Sequence, residues 1–338
     1  MHYGRWLTRA LVVAAIGLAC FLLYRALSRY SFEEVVASIR SVPPIRLLAA
    51  FGFAGCSYLC LTLFDAFGVR YAGKRLPYIK TALASFVSLS IGHNIGVAAL
   101  SSGAIRYRFY SNWGLNAEEV AKVVLFSGMT VALGLITLGG SGMLLNPAAA
   151  AQMTGFSAES IRALGLACLA IMCAYVVLSA FLRSSLHLGK WSFEMPSPRL
   201  ASAQVLIGSV NFAFVAACLH QTLAAFTDAG YLAVSSVYVI ANTTALVSHV
   251  PGGLGVLETA ILYLMPGGTL IGALLAFRFV YFFVPLGFGL TLQFLSERRS
   301  FKEARKRKMD EAPPAQTMPA DTRSAQFLSR RKSHCSGQ

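Results

Sequence analysis

The 338 residues are 56% hydrophobic and only 13% charged, with a mean hydropathy of +0.61, whereas a soluble domain carries about 25% charged residues. This is the composition of an integral membrane protein, and it excludes a soluble globular enzyme over most of the chain. The formal net charge of +15 is unevenly placed, since Arg298–Gln338 holds eleven Lys and Arg against four Asp and Glu. A basic tail behind a hydrophobic span is a cytoplasmic anchor beside anionic lipid, and with no base-reading module to accompany it, nucleic acid is not an expected partner.

Uncharged apolar runs follow in order: Leu11–Tyr24, Leu47–Phe64, Thr81–Ile105, Val123–Ala158, Ala163–Leu182, Leu200–Thr227, Ala229–Leu257, and Thr259–Ser296 with Arg278 inside it. A full crossing needs about 20 residues. The first run follows Arg5 and Arg9, lacks a small-x-small cleavage site and ends at Arg25, so it reads as an uncleaved span. Ser31 and Glu34 then form a capping box for a short surface helix that stops at Pro43-Pro44. Asn116 and Glu119 form a second box, with Glu118 and Lys122 as an i, i+4 pair, which starts a long helix near Ala117. Pro147 marks the next turn, and Ser157 caps the helix after it.

Two segments break the membrane pattern. The third run carries Gly92, His93, Asn94 and Gly96, then a Ser101-Ser102-Gly103 turn and the cluster Arg106-Tyr107-Arg108 with Tyr110. The seventh carries His249, Pro251, Gly252, Gly253 and Gly255, followed by Glu258. Broken backbone at bilayer depth is tolerated only inside protein or beside a wet cavity. If Thr81–Gly103 dips in and returns, Arg106 and Arg108 join Arg70, Lys74, Arg75 and Lys80 on the cytoplasmic side, as the positive-inside tendency requires. Tyr231–Leu264 is then the matching hairpin from the outer side, and both termini are cytoplasmic. Only the Arg25, Arg29, Arg40 and Arg46 connection runs against this scheme. The two breaks align at an offset of 156 residues, His93 with His249 and Gly96 with Gly252. Paired interrupted segments of this kind point to a midplane site between inverted repeats. The expected fold is therefore all-α and polytopic, with about six full spans, two opposed re-entrant helical hairpins and a possible inverted repeat. Residues 1–297 form the membrane domain, and residues 298–338 a basic, disordered cytoplasmic tail.

Arg106 and Arg108 offer planar donors suited to phosphate, flanked by Tyr107 and Tyr110, with Ser101 and Gly103 in a turn whose N–H groups form an anion nest; the competing reading is a positive-inside anchor. His93, Asn94 and His249 read first as hydrogen-bonding groups across the hairpins. Glu258 is costly inside an apolar run and needs a partner, for which Arg278, the one charge in the last span, stands ready. Asp65 reads as a local partner of Arg70. Six of the seven cysteines lie in apolar runs without metal spacing, so no metal and no cofactor is expected. No nucleophile elbow, phosphate loop or other catalytic motif is present, which leans against an enzyme.

The pattern ASF…N-I-G…L-S-S-G-A-I-R-Y-R-F-Y…W-G-L over Ala84–Leu115, with H-V-P-G-G-L-G-V-L-E over His249–Glu258, resembles the transmembrane region family of lysylphosphatidylglycerol synthases. It is especially similar to the flippase domain of bacterial multiple-peptide-resistance proteins, and the likeness covers about residues 1 to 300. It implies a multi-pass protein of the bacterial inner membrane that moves aminoacylated phosphatidylglycerol, a lipid whose cationic headgroup lowers the binding of antimicrobial peptides. Asn94, Gly96, Ser101, Gly103, Arg106, Tyr107, Arg108 and Tyr110, with Pro251, Gly252, Gly253, Gly255 and Glu258, carry the motif, although Ser102-Gly103 stands where the pattern has Gly-Gly. The synthase domain of full-length relatives has no counterpart in these residues. The expected partners are therefore membrane phospholipids and a separate lipid synthase, with partnership in another lipid pathway such as hopanoid synthesis, or a non-transporting scaffold role, as the alternatives. The sequence is silent on oligomeric state.

Overall fold

Helices account for nearly all of the described residues, because apolar runs in a membrane satisfy their backbone only internally. The computed structural model describes residues 32–95, 98–181, 185–188, 191–248, 250–265 and 270–310. The first apolar run, the Ser31 cap, His249 and the end of the tail lie outside the described residues. In order, the helices are α1 (Phe32–Ser41), α2 (Pro44–Tyr71), α3 (Tyr78–Ile95), α4 (Ala98–Asn112), α5 (Ala117–Leu145), α6 (Pro147–Thr154) and α7 (Ala158–Phe181), then α8 (Pro198–Leu223), α9 (Tyr231–Ser248), α10 (Val256–Leu264), α11 (Ile271–Arg278) and α12 (Val284–Asp310). A π-turn, Phe279–Phe283, joins the last two into one long element. The all-α fold carries one small addition, an antiparallel ribbon of β1 (Ser185–Leu188) and β2 (Trp191–Glu194) between α7 and α8.

Among the described residues six helices are long and apolar enough to cross a membrane: α2, α5, α7, α8, α9, and the α11–α12 element as far as Arg298. The N-terminal run lies outside the described residues, and α9, expected as one arm of a re-entrant hairpin, is also long and apolar enough to cross. Local signals set the helix starts. Asn116 Oδ1 accepts the Glu119 N–H while Glu119 Oε2 accepts the Asn116 N–H, both at 2.9 Å, closing the expected box. Lys122 meets Glu118 at 3.0 Å, and Ser157 Oγ accepts the Ser160 N–H at the head of α7. One expectation is overturned here. Ser101-Ser102-Gly103 is not a turn, because α4 is already under way at Ala98, so these residues enter a helical ladder and form no nest.

The order of elements repeats. α8 starts 154 residues after α2 (Pro198 against Pro44), α9 starts 153 after α3 (Tyr231 against Tyr78), α10 starts 158 after α4 (Val256 against Ala98), and α11 starts 154 after α5 (Ile271 against Ala117). Each set is a long helix, a two-helix hairpin and a second long helix, and the leading helices α2 and α8 pack on one another at the centre. α8 also crosses α5 so closely that a side chain at Gly134 or Gly208 would strike the other helix's backbone. Glycines permit this approach, which membrane helices use where no hydrophobic effect drives them together. The main core joins α2, α8, α9, α10 and α11, while a second cluster packs α3 and α4 against the ends of α2 and α5 and against Leu286. From Gln293 onward the chain belongs to a separate unit.

Candidate functional site

The two hairpins face each other across a cavity of about 420 Å³. The first hairpin contributes His93, Ser102 and Arg106, the second Val250, Gly252, Gly253 and Leu257, and α9 adds Tyr238 and Asn242. Asn211 on α8, Ser127 and Gly128 on α5, and Tyr281 and Phe282 on the π-turn complete the polar and aromatic wall. The breaks themselves nearly touch: a Cβ on Gly252 would lie 3.5 Å from the Asn94 carbonyl oxygen and 3.7 Å from that of His93. Gly252, Gly253 and Gly255 have φ of +62°, +58° and +81°, a left-handed run that an L side chain resists. The glycines at this break therefore let the second hairpin turn directly over the end of α3.

Each hairpin is pinned by one buried ion pair. Arg106 donates through Nε to both oxygens of Asp65 at 2.9 and 3.1 Å, and through Nη2 to Oδ1 at 2.7 Å. Its Nη1 reaches Ser102 Oγ at 2.9 Å. Tyr110 Oη and Ser127 Oγ donate to the same carboxylate at 2.7 and 3.3 Å. Asp65 is fully buried and Arg106 is 2% exposed, so a lone charge on either would be strongly unfavourable. The expected pairing of Asp65 with Arg70 is thus wrong: Arg70 lies over the Phe67 ring instead. A readable signal did exist, because Ser102, Arg106 and Tyr110 recur every fourth residue and share one helix face. Tyr107, by contrast, is 44% exposed, Arg108 is half-buried, and neither lines the cavity.

In the second hairpin the expected partnership forms. Arg278 donates through Nε and Nη2 to the two oxygens of Glu258, and Glu258 Oε2 also accepts the Gly255 N–H at 2.8 Å, capping α10. The remaining Arg278 donors hold the carbonyls of Gly252 at 2.6 Å and Gly253 at 3.0 Å, and the guanidinium lies 4.9 Å from the Phe282 ring centroid. A glycine-rich turn with few contacts of its own is thereby fixed from behind by a single arginine. Pro251 sits in this turn.

The polar groups of the first break do not bond across the hairpin as expected. Asn94 Nδ2 turns back to the Ser90 carbonyl of its own helix, at 2.8 Å. His93 packs between the rings of Tyr58 and Phe282, and its buried Nδ1 is without a hydrogen-bond partner. Ser101 and Gly103 occupy the first turns of α4. The wall residues on α5, α8 and α9 were missed, although Ser127, Asn211 and Asn242 are polar groups inside apolar runs and carry the same signal as Glu258.

No family model matches the chain. It is similar to an uncharacterised protein of Synechocystis, 31% identical over 283 residues that span 81% of this chain and 88% of that one. It is also 30% identical over 281 residues to the inner membrane protein YbhN of Escherichia coli, covering 81% of this chain and 87% of that protein. A phosphatidylglycerol lysyltransferase of Staphylococcus haemolyticus is 22% identical over 299 residues, 84% of this chain but 34% of that enzyme; the chain therefore spans about a third of the length of that relative. Six apolar helices and these relatives make it a multi-pass inner membrane protein, and the chain belongs to the family of the inner membrane protein YbhN.

Proposed function

We propose that this protein moves a phospholipid between leaflets, passing the headgroup through the cavity between the two hairpins while the acyl chains stay in the bilayer. The observation that carries the reading is the cavity itself, a pocket of about 420 Å³ whose mainly apolar wall carries a few polar groups, Arg106, Ser127, Asn211 and Asn242 among them, between two broken hairpins that recur at matching places in a repeated helix order. The crossings of α2, α5 and α7 separate the start of the first set from the start of the second, so the second set would run through the bilayer in the opposite sense, the arrangement that alternating access uses. In this reading both termini are cytoplasmic, residues 1–297 are the transporting domain, and residues 298–338 lie against anionic lipid as a basic cytoplasmic tail. Likeness to a lysyltransferase supports a place in lipid metabolism.

Purified protein in vesicles carrying a tail-labelled phospholipid tests the reading: dithionite should bleach inner-leaflet label as it is brought outward. A bleaching course no different from protein-free vesicles overturns it. A second reading has its own support. The likeness to a phosphatidylglycerol lysyltransferase supports a role as the membrane partner of a lipid synthase, which would supply the lipid. Deletion of the gene would then change the cell's lipid composition as well as its leaflet distribution.

A further inference from the structure

The sequence contains fourteen Asp and Glu, and their placement bears on which headgroup the cavity accepts. Among the described residues, Asp65 and Glu258 are the carboxylates that bond to the two hairpins beside the breaks. The other twelve lie on α1, in the first turns of α5 and α7, at the end of β2, in the α8–α9 connection, or from Glu297 onward. Residues 1–31, 96–97, 182–184, 189–190, 249 and 266–269 contain no Asp or Glu at all, so none of these segments can bring a carboxylate to the wall. Asp65 spends its oxygens on Arg106, Tyr110 and Ser127, and Glu258 spends its own on Arg278 and Gly255. Neither carboxylate faces the cavity, and among the described residues Arg106 is the one formally charged group that does.

An arginine offers five N–H donors. Nε, one N–H of Nη1 and one of Nη2 are engaged with Asp65 and Ser102, which leaves two for an acceptor in the cavity. His93 adds an unpartnered Nδ1 suited to a hydroxyl. The aromatic wall gives an ammonium less in exchange, because most of its rings are already engaged: Phe282 with Arg278, Tyr281 stacked on Phe277 and tilted against Tyr58, Phe212 against Tyr238.

From this placement we infer that the cavity selects a phosphodiester headgroup whose substituent is neutral and hydroxyl-bearing, and rejects one that is aminoacylated. The inference rests on the translocation reading above. Arg106 takes the phosphate, and His93 takes a hydroxyl. A lysyl ester brings two ammonium groups against one phosphate, so at least one positive charge enters beside Arg106 with no carboxylate to meet it, and an uncompensated charge in a desolvated site is strongly disfavoured.

The test uses the full chain in phosphatidylcholine vesicles with trace tail-labelled phosphatidylglycerol or lysylphosphatidylglycerol. Phosphatidylglycerol should move at least about tenfold faster. Asn242→Asp, which puts a carboxylate on the wall, should narrow or invert that ratio. Short-chain forms of the same two lipids give a second readout: only the phosphatidylglycerol should raise the melting temperature of the wild-type protein in detergent. Lysylphosphatidylglycerol moving as fast as or faster than phosphatidylglycerol overturns the selectivity and leaves translocation standing. Movement of neither lipid overturns translocation and the selectivity with it.

Discussion

Asp65 and Arg106, 41 residues apart in sequence, meet as a bidentate pair in which Asp65 is fully buried and Arg106 is 2% exposed. The pair ties the second arm of the first hairpin to α2, and Ser127 extends the link to α5. Arg106 thus has a structural duty and also forms part of the cavity wall, so its deletion alone cannot separate the two. Asp65→Asn or Arg106→Gln leaves one charge buried without its counterion and should cost about 3–5 kcal/mol. The double variant Asp65→Leu with Arg106→Leu, which removes both charges, should lose less than either single change. Thermal unfolding in detergent, followed by circular dichroism, gives all three values as a double-mutant cycle. Singles that add up without coupling would overturn the assignment.

The second hairpin mirrors this device with the charges exchanged. In the first the hairpin arm α4 holds the arginine and the span α2 holds the acid; in the second the arm α10 holds Glu258 and the α11–α12 element holds Arg278. Arg278→Lys keeps the charge but not the fork, and a single ammonium cannot serve Glu258 and the carbonyls of Gly252 and Gly253 together. It should therefore destabilise the turn nearly as much as Arg278→Gln. Hydrogen exchange at residues 250–258 should rise in both variants and remain unchanged in α7. Full protection in Arg278→Lys would show that charge alone holds the turn.

The two pairs also mark how far the sequence could be read. Glu258 and Arg278 stood out because each is the lone ionisable group in an apolar run, so desolvation cost alone demanded a partner. Arg106 sits beside Arg108 in what looks like a basic anchor, and that company hid its burial. Its contact with Asp65 depends on how the hairpin folds back on α2, a tertiary relation that residue spacing does not carry. Helix caps at Asn116 and Ser157 were legible because they are local. The cavity wall was not, since it draws one or two polar residues from each of six separate elements.

Backbone conformation gives an independent check on the second break. Gly252 has φ +62°, so Gly252→Ala should cost about 1–2 kcal/mol from left-handed strain. Gly252→Asn should cost less, because asparagine tolerates that region better. If alanine and asparagine are equally tolerated in thermal unfolding, the turn is not held as described.

Helix packing separates in the same way. A Cβ at Gly208 would meet the α5 backbone at Thr130 and Gly134, whereas one at Gly55 would meet nothing within 4 Å. Gly208→Ala should therefore lower stability by about 1–3 kcal/mol or more through overpacking. Gly55→Ala should be neutral or slightly stabilising, since alanine is the better helix former. Monodispersity on size-exclusion chromatography together with the melting temperature would distinguish the two.

Filling the cavity without disturbing the fold is the cleanest test of where lipid passes. Gly128 lines the wall, and a Cβ built on it finds no atom within 4 Å, so a large side chain there can enter open space before it meets the frame. Gly128→Trp should keep the melting temperature close to wild type and occupy much of a space of about 420 Å³. Both ion pairs and the break-to-break contact stay intact in this variant, which Asp65 or Arg106 substitutions cannot achieve. Lipid movement in vesicles should fall by at least tenfold, a loss equivalent to about 1.4 kcal/mol in the barrier. Normal melting with undiminished movement would place the lipid path elsewhere on the protein.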